Sequence, residues 1–387
     1  MKFTIAKEQI ADGLQMAYGI IPSRSGSLFL RSLWMKVENQ HLTIMASNGE
    51  VEYGAIFHAD VQKDGTIGVQ GREFIELVRK LGPGDLNFQL EENGTALFMD
   101  QEQQRFYEIP IVNTDWYTPL AEFPEEGAAS FNAEIFREAI DKVEYCIVEG
   151  EENQKPVLEY ISVQKSENDM VEICALNNNQ FAVMAFENKS LADWLGEEGL
   201  FIHKKFLNDI QKWMDQGEAQ INRNDNYVFF RKTDKTQALT IRSMKGTFPQ
   251  YRGVFESVVS NKTTTVTLDR KETIAALERL VDFTSTTSPE VIIEFSETQA
   301  RFNCQTQNIG KGQEILDITY SGTVDKIVFM LKQILPCLKH LSSKKIDLLI
   351  EAPGKPCAIT GMNDENYKII IMPCIFTEET YYEEKPA

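Results

Sequence analysis

Four histidines, six cysteines and a large surplus of carboxylates are the side chains from which this chain could build a reactive centre. A hydrolytic metal site needs histidines spaced to share one helix face or one strand, and His41, His58, His203 and His340 form neither an HExxH nor an HxH pattern. The cysteines Cys146, Cys174, Cys304, Cys337, Cys357 and Cys374 stand far apart with no CxxC pair. That sets aside a zinc ribbon, a redox motif and a dense disulfide framework, and leaves reduced core thiols as the expectation. No GxSxG elbow offers a serine nucleophile, and Gly82-Pro83-Gly84 has the form of a helix-ending turn, not of a GxxxxGK[ST] phosphate loop. With 58 acidic residues, paired carboxylates arise anywhere by composition and single out no acid–base couple. The expectation is a protein that catalyses nothing and needs neither cofactor nor metal.

The basic residues are more informative. The formal net charge is −19, which argues against a phosphate-rich partner only if charge is spread evenly. Six windows with helical periodicity (7–17, 71–81, 133–145, 203–213, 269–280 and 330–345) hold 16 Lys and Arg against 12 Asp and Glu, so they carry +4 and the remainder carries −23. Solvated i,i+4 pairing accounts for basic residues on any single helix. It does not account for Arg72, Arg79, Lys80, Lys204, Lys205, Lys212, Lys332, Lys339, Lys344 and Lys345, which outnumber their local acids ten to three. An anionic polymer held against those helices explains the bias, and acidic strands and loops facing away would keep the particle dissolved.

The elements that position these residues occur three times. A short strand runs into an amphipathic helix at 3–21, 129–147 and 266–283, so that Ile5, Phe131 and Leu268 correspond, then Leu14, Ile140 and Leu277, then Ala17, Val143 and Leu280. Asn132 and Asp269 stand where helix caps are expected. A second strand–helix unit follows at 66–81, 198–213 and 325–341, aligning Phe74, Phe206 and Ile334, then Val78, Ile210 and Leu338, then Leu81, Trp213 and Leu341. A strand pair with a turn comes after each. Pro336 predicts a kink or a late start in the last helix, because its ring removes a backbone N–H. Three domains follow, 1–125, 126–257 and 258–387, divided near the acidic stretch Phe123–Glu126 and the polar segment Glu256–Asn261. The amino terminus has no signal-peptide layout and no run of about 18 apolar residues occurs, so a cytoplasmic protein without membrane attachment is expected.

Two copies of such a chain supply twelve helices. At about 9 Å between neighbours these make a ring of ~110 Å circumference and roughly 35 Å diameter through the axes. Removing one helix thickness of about 10 Å leaves an opening of roughly 25 Å, wide enough for a double helix.

Ordered short motifs carry a resemblance over essentially the whole length: Met1-Lys2-Phe3-Thr4-Ile5, Lys155-Pro156-Val157-Leu158, Gly246-Thr247-Phe248-Pro249-Gln250-Tyr251-Arg252, Asp317-Ile318-Thr319-Tyr320-Ser321-Gly322 and Ile371-Met372-Pro373. The chain resembles the bacterial DNA sliding clamp, the beta subunit of DNA polymerase III. The resemblance implies an α+β chain of three tandem clamp domains, each with two helices packed on antiparallel sheets, closing as a head-to-tail homodimeric ring around double-stranded DNA without sequence preference. It also implies that the ring tethers DNA polymerase and other clamp-binding proteins, and that a clamp loader places it on DNA. Arg24, Arg72, Arg79, Lys204, Lys205 and Arg242 match DNA-facing family positions; Lys332 and Lys339 are added from the charge pattern. A contact that slides must be directed at phosphates, since base-edge hydrogen bonds would trap one register.

Partners of this family insert a short hydrophobic peptide into a pocket, whose matching positions are Leu158, Leu176, Asn178, Phe181, Pro249, Val254, Ile370, Met372 and Pro373. An apolar cleft rimmed by Met and Pro suits several partners, because the thioether adapts its shape. At the dimer interface Phe106 and Phe283 match apolar family positions, whereas Asp282 replaces one. Ala175–Ala182 reads ALNNNQFA where the family often has an Ala-Thr-Asp-Gly run, Gly253 stands in place of an Arg, and Cys374 follows the terminal Met-Pro. The pocket therefore keeps its apolar body and loses cationic rim groups. The competing expectation is an acidic scaffold that binds proteins and does not encircle DNA.

Overall fold

The computed structural model describes residues 1–24, 26–91, 94–100, 105–147, 156–285, 289–306 and 309–375. Lys155, which opens one of the quoted motifs, lies outside the described residues. Eight α-helices occur among them: α1 Lys7–Ile20, α2 Gly71–Lys80, α3 Ala133–Glu144, α4 Lys189–Leu195, α5 Lys204–Trp213, α6 Val254–Asn261, α7 Arg270–Leu280 and α8 Leu331–Lys339. Antiparallel sheets make up most of the rest, so the chain is α+β.

The repeated strand–helix unit is present at all six places. Strands Lys2–Ala6, Gly65–Gln70, Ala129–Asn132, Leu200–His203, Thr264–Asp269 and Lys326–Met330 run directly into α1, α2, α3, α5, α7 and α8. Every member of the aligned apolar triplets is buried, from Ile5, Phe131 and Leu268 to Leu81, Trp213 and Leu341. The period-3.6 stripe thus marks the face each helix turns to its sheet. Asn132 Oδ1 accepts from Ile135 N at 3.0 Å, and Asp269 accepts from Lys271 N and Glu272 N, which satisfies amides that a helix start leaves unpaired.

Three local features depart from expectation. Glu256–Asn261, anticipated as a polar segment, belongs to α6; Gly253 precedes the helix with φ +83°, a left-handed conformation open to glycine. A short helix, α4, is capped by Asn188, whose side chain accepts from Leu191 N. Pro336 lies inside α8, which starts at Leu331 and not after the proline; Lys344 and Lys345 fall beyond its end.

The chain divides into two compact units, residues 1–138 with 188–245 and residues 139–187 with 246–387. The first contains a thirteen-stranded sheet in the order Ala129–Asn132, Glu218–Arg223, Tyr227–Lys232, Gln237–Arg242, Val51–His58, His41–Ser47, Ser32–Glu38, Gly65–Gln70, Arg105–Val112, Thr95–Asp100, Asp85–Leu90, Lys2–Ala6, Asp60–Lys63. Its seam is the antiparallel pairing of Gln237–Arg242 with Val51–His58, in register Leu239 to Tyr53, both fully buried. The second unit has its own seam, Gln180–Glu187 against Tyr367–Ile371. A continuous run there joins Tyr160–Lys165, Met170–Leu176, Gln180–Glu187, Tyr367–Ile371, Cys357–Gly361, Lys345–Ile350, Thr264–Asp269 and Thr319–Ser321. A separate sheet holds Gly310–Asp317, Gln299–Thr306, Glu290–Phe295 and Lys326–Met330.

All six cysteines are free thiols, five of them buried and Cys374 half-buried. Burial pushes Cys304 up to about 11 and Cys337 up to about 12, so neither carries appreciable thiolate near neutrality.

Candidate functional site

Four of the predicted basic residues of the first unit lie on two helices, Arg72 and Arg79 on α2 and Lys204 and Lys205 on α5, whereas Arg24 follows α1 and Arg242 ends a strand. α1 packs against both α2 and α5, which brings the helices carrying Arg72, Arg79, Lys204 and Lys205 to either side of one element. Arg72 is half-buried, its Nε donating to Ile21 O at 2.7 Å, and both guanidiniums lie over the Tyr18 ring, at 4.3 Å for Arg72 and 4.2 Å for Arg79. Lys204 and Lys205 open α5, where His203 Nδ1 accepts from Lys205 N at 3.1 Å. Lys205 Nζ pairs with Glu50 at 2.5 Å, while the Arg242 amide donates to Glu50 O at 3.0 Å, so one acidic residue holds two of the predicted basic positions together. Arg24 is exposed in the segment after α1. In the second unit Lys332 and Lys339 are exposed at the two ends of α8, and Lys339 pairs with Glu278 at 2.7 Å.

The predicted pocket residues all belong to the second unit, and the sheet register assembles their core. Leu176 stands opposite Phe181, Phe181 opposite Ile370, and Ile370 opposite Ala358, one row across four strands and hence on one face. α6 covers one end of this row: Val258 packs with Leu349, Ala358 and Ile370, and Phe181 and Phe255 pack against the cluster. Phe248 and Tyr251 cover the other end, packed with Cys174, Val183, Leu176 and Phe181. Phe181, half-buried, belongs to both clusters and is the floor between two walls. Met372 is half-buried and fixed by its amide, which donates to Asn179 O at 2.7 Å; Pro373 is buried and Val254 half-buried at the start of α6. Asn178 and Pro249 are exposed, and Leu158 is buried in a 3-10 turn. The unusual asparagines shape a tight hairpin, since Asn177 Oδ1 accepts from the amides of Asn179 and Gln180.

Sequence reasoning overlooked what fixes the Tyr251 wall. The Tyr251 hydroxyl donates to Glu172 Oε2 at 3.0 Å, Arg252 Nε donates to the same oxygen at 3.1 Å, and Ser166 Oγ donates to Oε1 at 2.9 Å. Burial, reinforced by Cys174 and Glu172, pushes the Tyr251 phenol far above its ordinary range, so it remains a donor at any working pH. Glu172 lies 79 residues from Tyr251, and the pairing has no local sequence signal; the aromatic spacing of Phe248 and Tyr251 is the only hint.

At the start of strand Tyr367–Ile371, which bears Ile370, sits a polar knot. Asp364 accepts from Ser342 N at 2.8 Å, Ser343 N at 2.9 Å and Ser343 Oγ at 2.6 Å. Lys142 approaches it to 4.0 Å and donates to His340 O and Ser342 Oγ, while the Tyr367 hydroxyl donates to Lys142 O at 2.6 Å. Burial alone would raise the Asp364 carboxyl; the Ser343 hydroxyl, the two serine amides and Lys142 outweigh it and hold the group below the usual aspartate range.

Phe106 lies on a strand and Phe283 in the 3-10 turn Val281–Phe283 that follows α7. Phe106 is 71% exposed on Arg105–Val112, a strand paired on one side with Thr95–Asp100 over 105–110, while on the other side the pairs are Ile111 and Val112 alone among the described residues. Phe283 is half-buried over Gly312, where a Cβ would come within 2.7 Å of the phenylalanine ring, so glycine is required for the close approach. Gly312 belongs to Gly310–Asp317, the outer strand of its sheet. Among the described residues no group of three or more His, Cys, Asp or Glu is placed to hold a metal ion, and no helix is long and apolar enough to cross a membrane.

Comparison with known proteins places this geometry. Residues 1–120 match the model of the DNA polymerase III beta subunit N-terminal domain, and residues 258–375 match that of its C-terminal domain, together more than half of the chain. A beta sliding clamp of Streptomyces coelicolor is 21% identical over 96% of this chain and 99% of that protein, and one of Synechocystis is 22% identical with the same coverage. The solved sliding clamp of Bacillus subtilis superposes with a TM-score of 0.87 at 19% identity, covering 97% of this chain and all of that one. A Pseudomonas aeruginosa clamp solved bound to griselimycin has a TM-score of 0.86 at 16% identity, again over 97% of this chain and all of that one. With the repeated strand–helix units, the two sheet seams and both end domains in agreement, the chain belongs to the DNA polymerase III beta subunit family, the beta sliding clamps.

Proposed function

We propose that this chain is a non-catalytic processivity factor of the cytoplasm: two copies close head to tail around duplex DNA and tether the replicative polymerase and other partners, a clamp loader among them. On this reading 1–125, 126–257 and 258–387 are three equivalent domains. The observation that carries the proposal is how neighbouring repeats are joined. In each unit one repeat is sewn to the next by antiparallel pairing of edge strands, Gln237–Arg242 with Val51–His58 and Gln180–Glu187 with Tyr367–Ile371. A third joint of the same kind needs two more edges, and Arg105–Pro110 with exposed Phe106 and Gly310–Asp317 beside Phe283 supply them. These lie on the first and last repeats, so the third joint is made between copies and closes the ring.

Arg24, Arg72, Arg79, Lys204, Lys205, Arg242, Lys332 and Lys339 then meet phosphates, and the row Leu176–Phe181–Ile370, walled by Tyr251 and α6 and rimmed by Met372 and Pro373, takes an apolar partner peptide. The test is topological. The protein is expected to show a solution mass of about 88 kDa, twice 44.1 kDa, and, once loaded on circular DNA, to resist high salt and be lost when the circle is cut. An acidic scaffold shows neither property, and a monomer at micromolar concentration, or salt-sensitive release from intact circles, sinks the proposal.

A further inference from the structure

The clamp reading, on which this inference rests, assigns Arg72 and Arg79 to the DNA-facing surface but says nothing of how two long flexible side chains are kept in place. The structure holds both against one aromatic ring. Tyr18 projects from α1 with the Arg72 guanidinium 4.3 Å from its centroid and that of Arg79 at 4.2 Å. Arg72 and Arg79 are seven residues apart on α2, two turns, so both side chains reach the same neighbouring helix. Glu76 lies between them, and its Oε1 accepts from the Tyr18 hydroxyl at 2.8 Å, which orients the ring. Each arginine has one further anchor: Arg72 Nε on Ile21 O at 2.7 Å, and Arg79 on Gln15 Oε1. Ring, carboxylate and two guanidiniums form one assembly on the α1–α2 face.

We propose that Tyr18 is a positioning residue for DNA contact, a cradle that pre-orders Arg72 and Arg79 so that a phosphate meets two guanidiniums already fixed. Stacking leaves guanidinium N–H donors at the edge of each planar group free to point outward while the face is occupied. Ordering a long side chain at the moment of contact costs about threefold in affinity, so two arginines ordered in advance are worth about tenfold. Tyr18 carries no charge, and its removal leaves the number of phosphate-neutralising groups, and hence the steepness of the salt dependence, as it was.

The experiment uses the full-length dimer. On DNA-free protein, phenylglyoxal labelling read by mass spectrometry is expected to modify Arg72 and Arg79 several-fold faster in Tyr18→Ala than in wild type, with exposed Arg105 unchanged as control. In low salt, affinity for a short linear duplex is expected to fall about tenfold in Tyr18→Ala, to stay within about twofold of wild type in Tyr18→Phe, which keeps the ring, and to fall no further when Tyr18→Ala is added to Arg72→Gln/Arg79→Gln. Equal labelling rates overturn the cradle and leave the clamp reading intact. A loss of equal size in the double-arginine background overturns it too, since Tyr18 would then act only on the fold. Wild-type protein that fails to hold circular DNA overturns the clamp reading and this inference together.

Discussion

Replacing Asp364 by Ala tests the polar knot at the start of strand Tyr367–Ile371. The carboxylate accepts three hydrogen bonds at 2.6–2.9 Å and lies 4.0 Å from Lys142, whose side chain is 11% exposed. Hydrogen bonds to a charged group contribute about 1.5–3 kcal/mol each. They share one acceptor and do not add, and the Ser343 hydroxyl still accepts from Asn363 N at 2.8 Å. Removing one partner of a buried ion pair costs about 3–5 kcal/mol, which sets the expected loss. That is a large part of a domain's ~5–15 kcal/mol. All four tryptophans, Trp34, Trp116, Trp194 and Trp213, belong to the first unit, so their fluorescence is blind to local unfolding of the second, whereas far-UV circular dichroism sees both. With a urea slope of about 2 kcal/mol per molar, the dichroism midpoint of the second unit falls by roughly 2 M. The folded-state pKa of Asp364 lies below its ordinary value, so its contribution is complete above about pH 4 and vanishes as pH falls through the depressed value. The gap between wild type and variant therefore narrows in acid. A midpoint shift below about 0.3 M, or a gap that widens as pH drops, refutes the reasoning.

Other outcomes follow from the same geometry. Met372→Ala with Pro373→Ala is expected to abolish polymerase stimulation with loading on DNA largely kept, and unchanged processive synthesis counts against the pocket. Tyr251→Phe removes one donor to Glu172 and is expected to weaken partner-peptide binding about threefold by freeing a wall; anisotropy of a labelled apolar peptide reads it, and unaltered affinity shows that the wall stands without its anchor. Charge reversal of Lys204, Lys205 and Arg242 together shortens residence on circular DNA under single-molecule observation, and normal residence removes them from the inner face. Native protein titrated with a thiol reagent exposes about one reactive cysteine, Cys374, slowly; rapid reaction of several contradicts the buried thiols.

What the chain discloses without coordinates is whatever it repeats. The aligned apolar positions of the six strand–helix units were legible because each must face a sheet, and three versions of one pattern expose the constraint that a single version hides. Leu176, Phe181 and Ile370 were named only by resemblance and Ala358 not at all, because the four become neighbours through sheet register and not through spacing. α6 was hidden by its composition: eight residues with three valines, two serines and an asparagine read as a poor helix, and burial of Val258 overrides propensity. The Tyr251–Glu172 and Tyr18–Glu76 bonds span 79 and 58 residues, distances at which no periodicity survives.

The carboxylates among the basic residues have a consequence for motion. Glu50 holds Lys205 and Glu278 holds Lys339. If these lysines meet DNA as proposed, each gives up one anion to greet another, so each passing phosphate gains only the difference between two similar embraces. On that proposal translocation crosses shallow wells instead of deep ones, and the carboxylates act as lubricant: they lower friction along the duplex at the expense of grip, which a closed ring does not need.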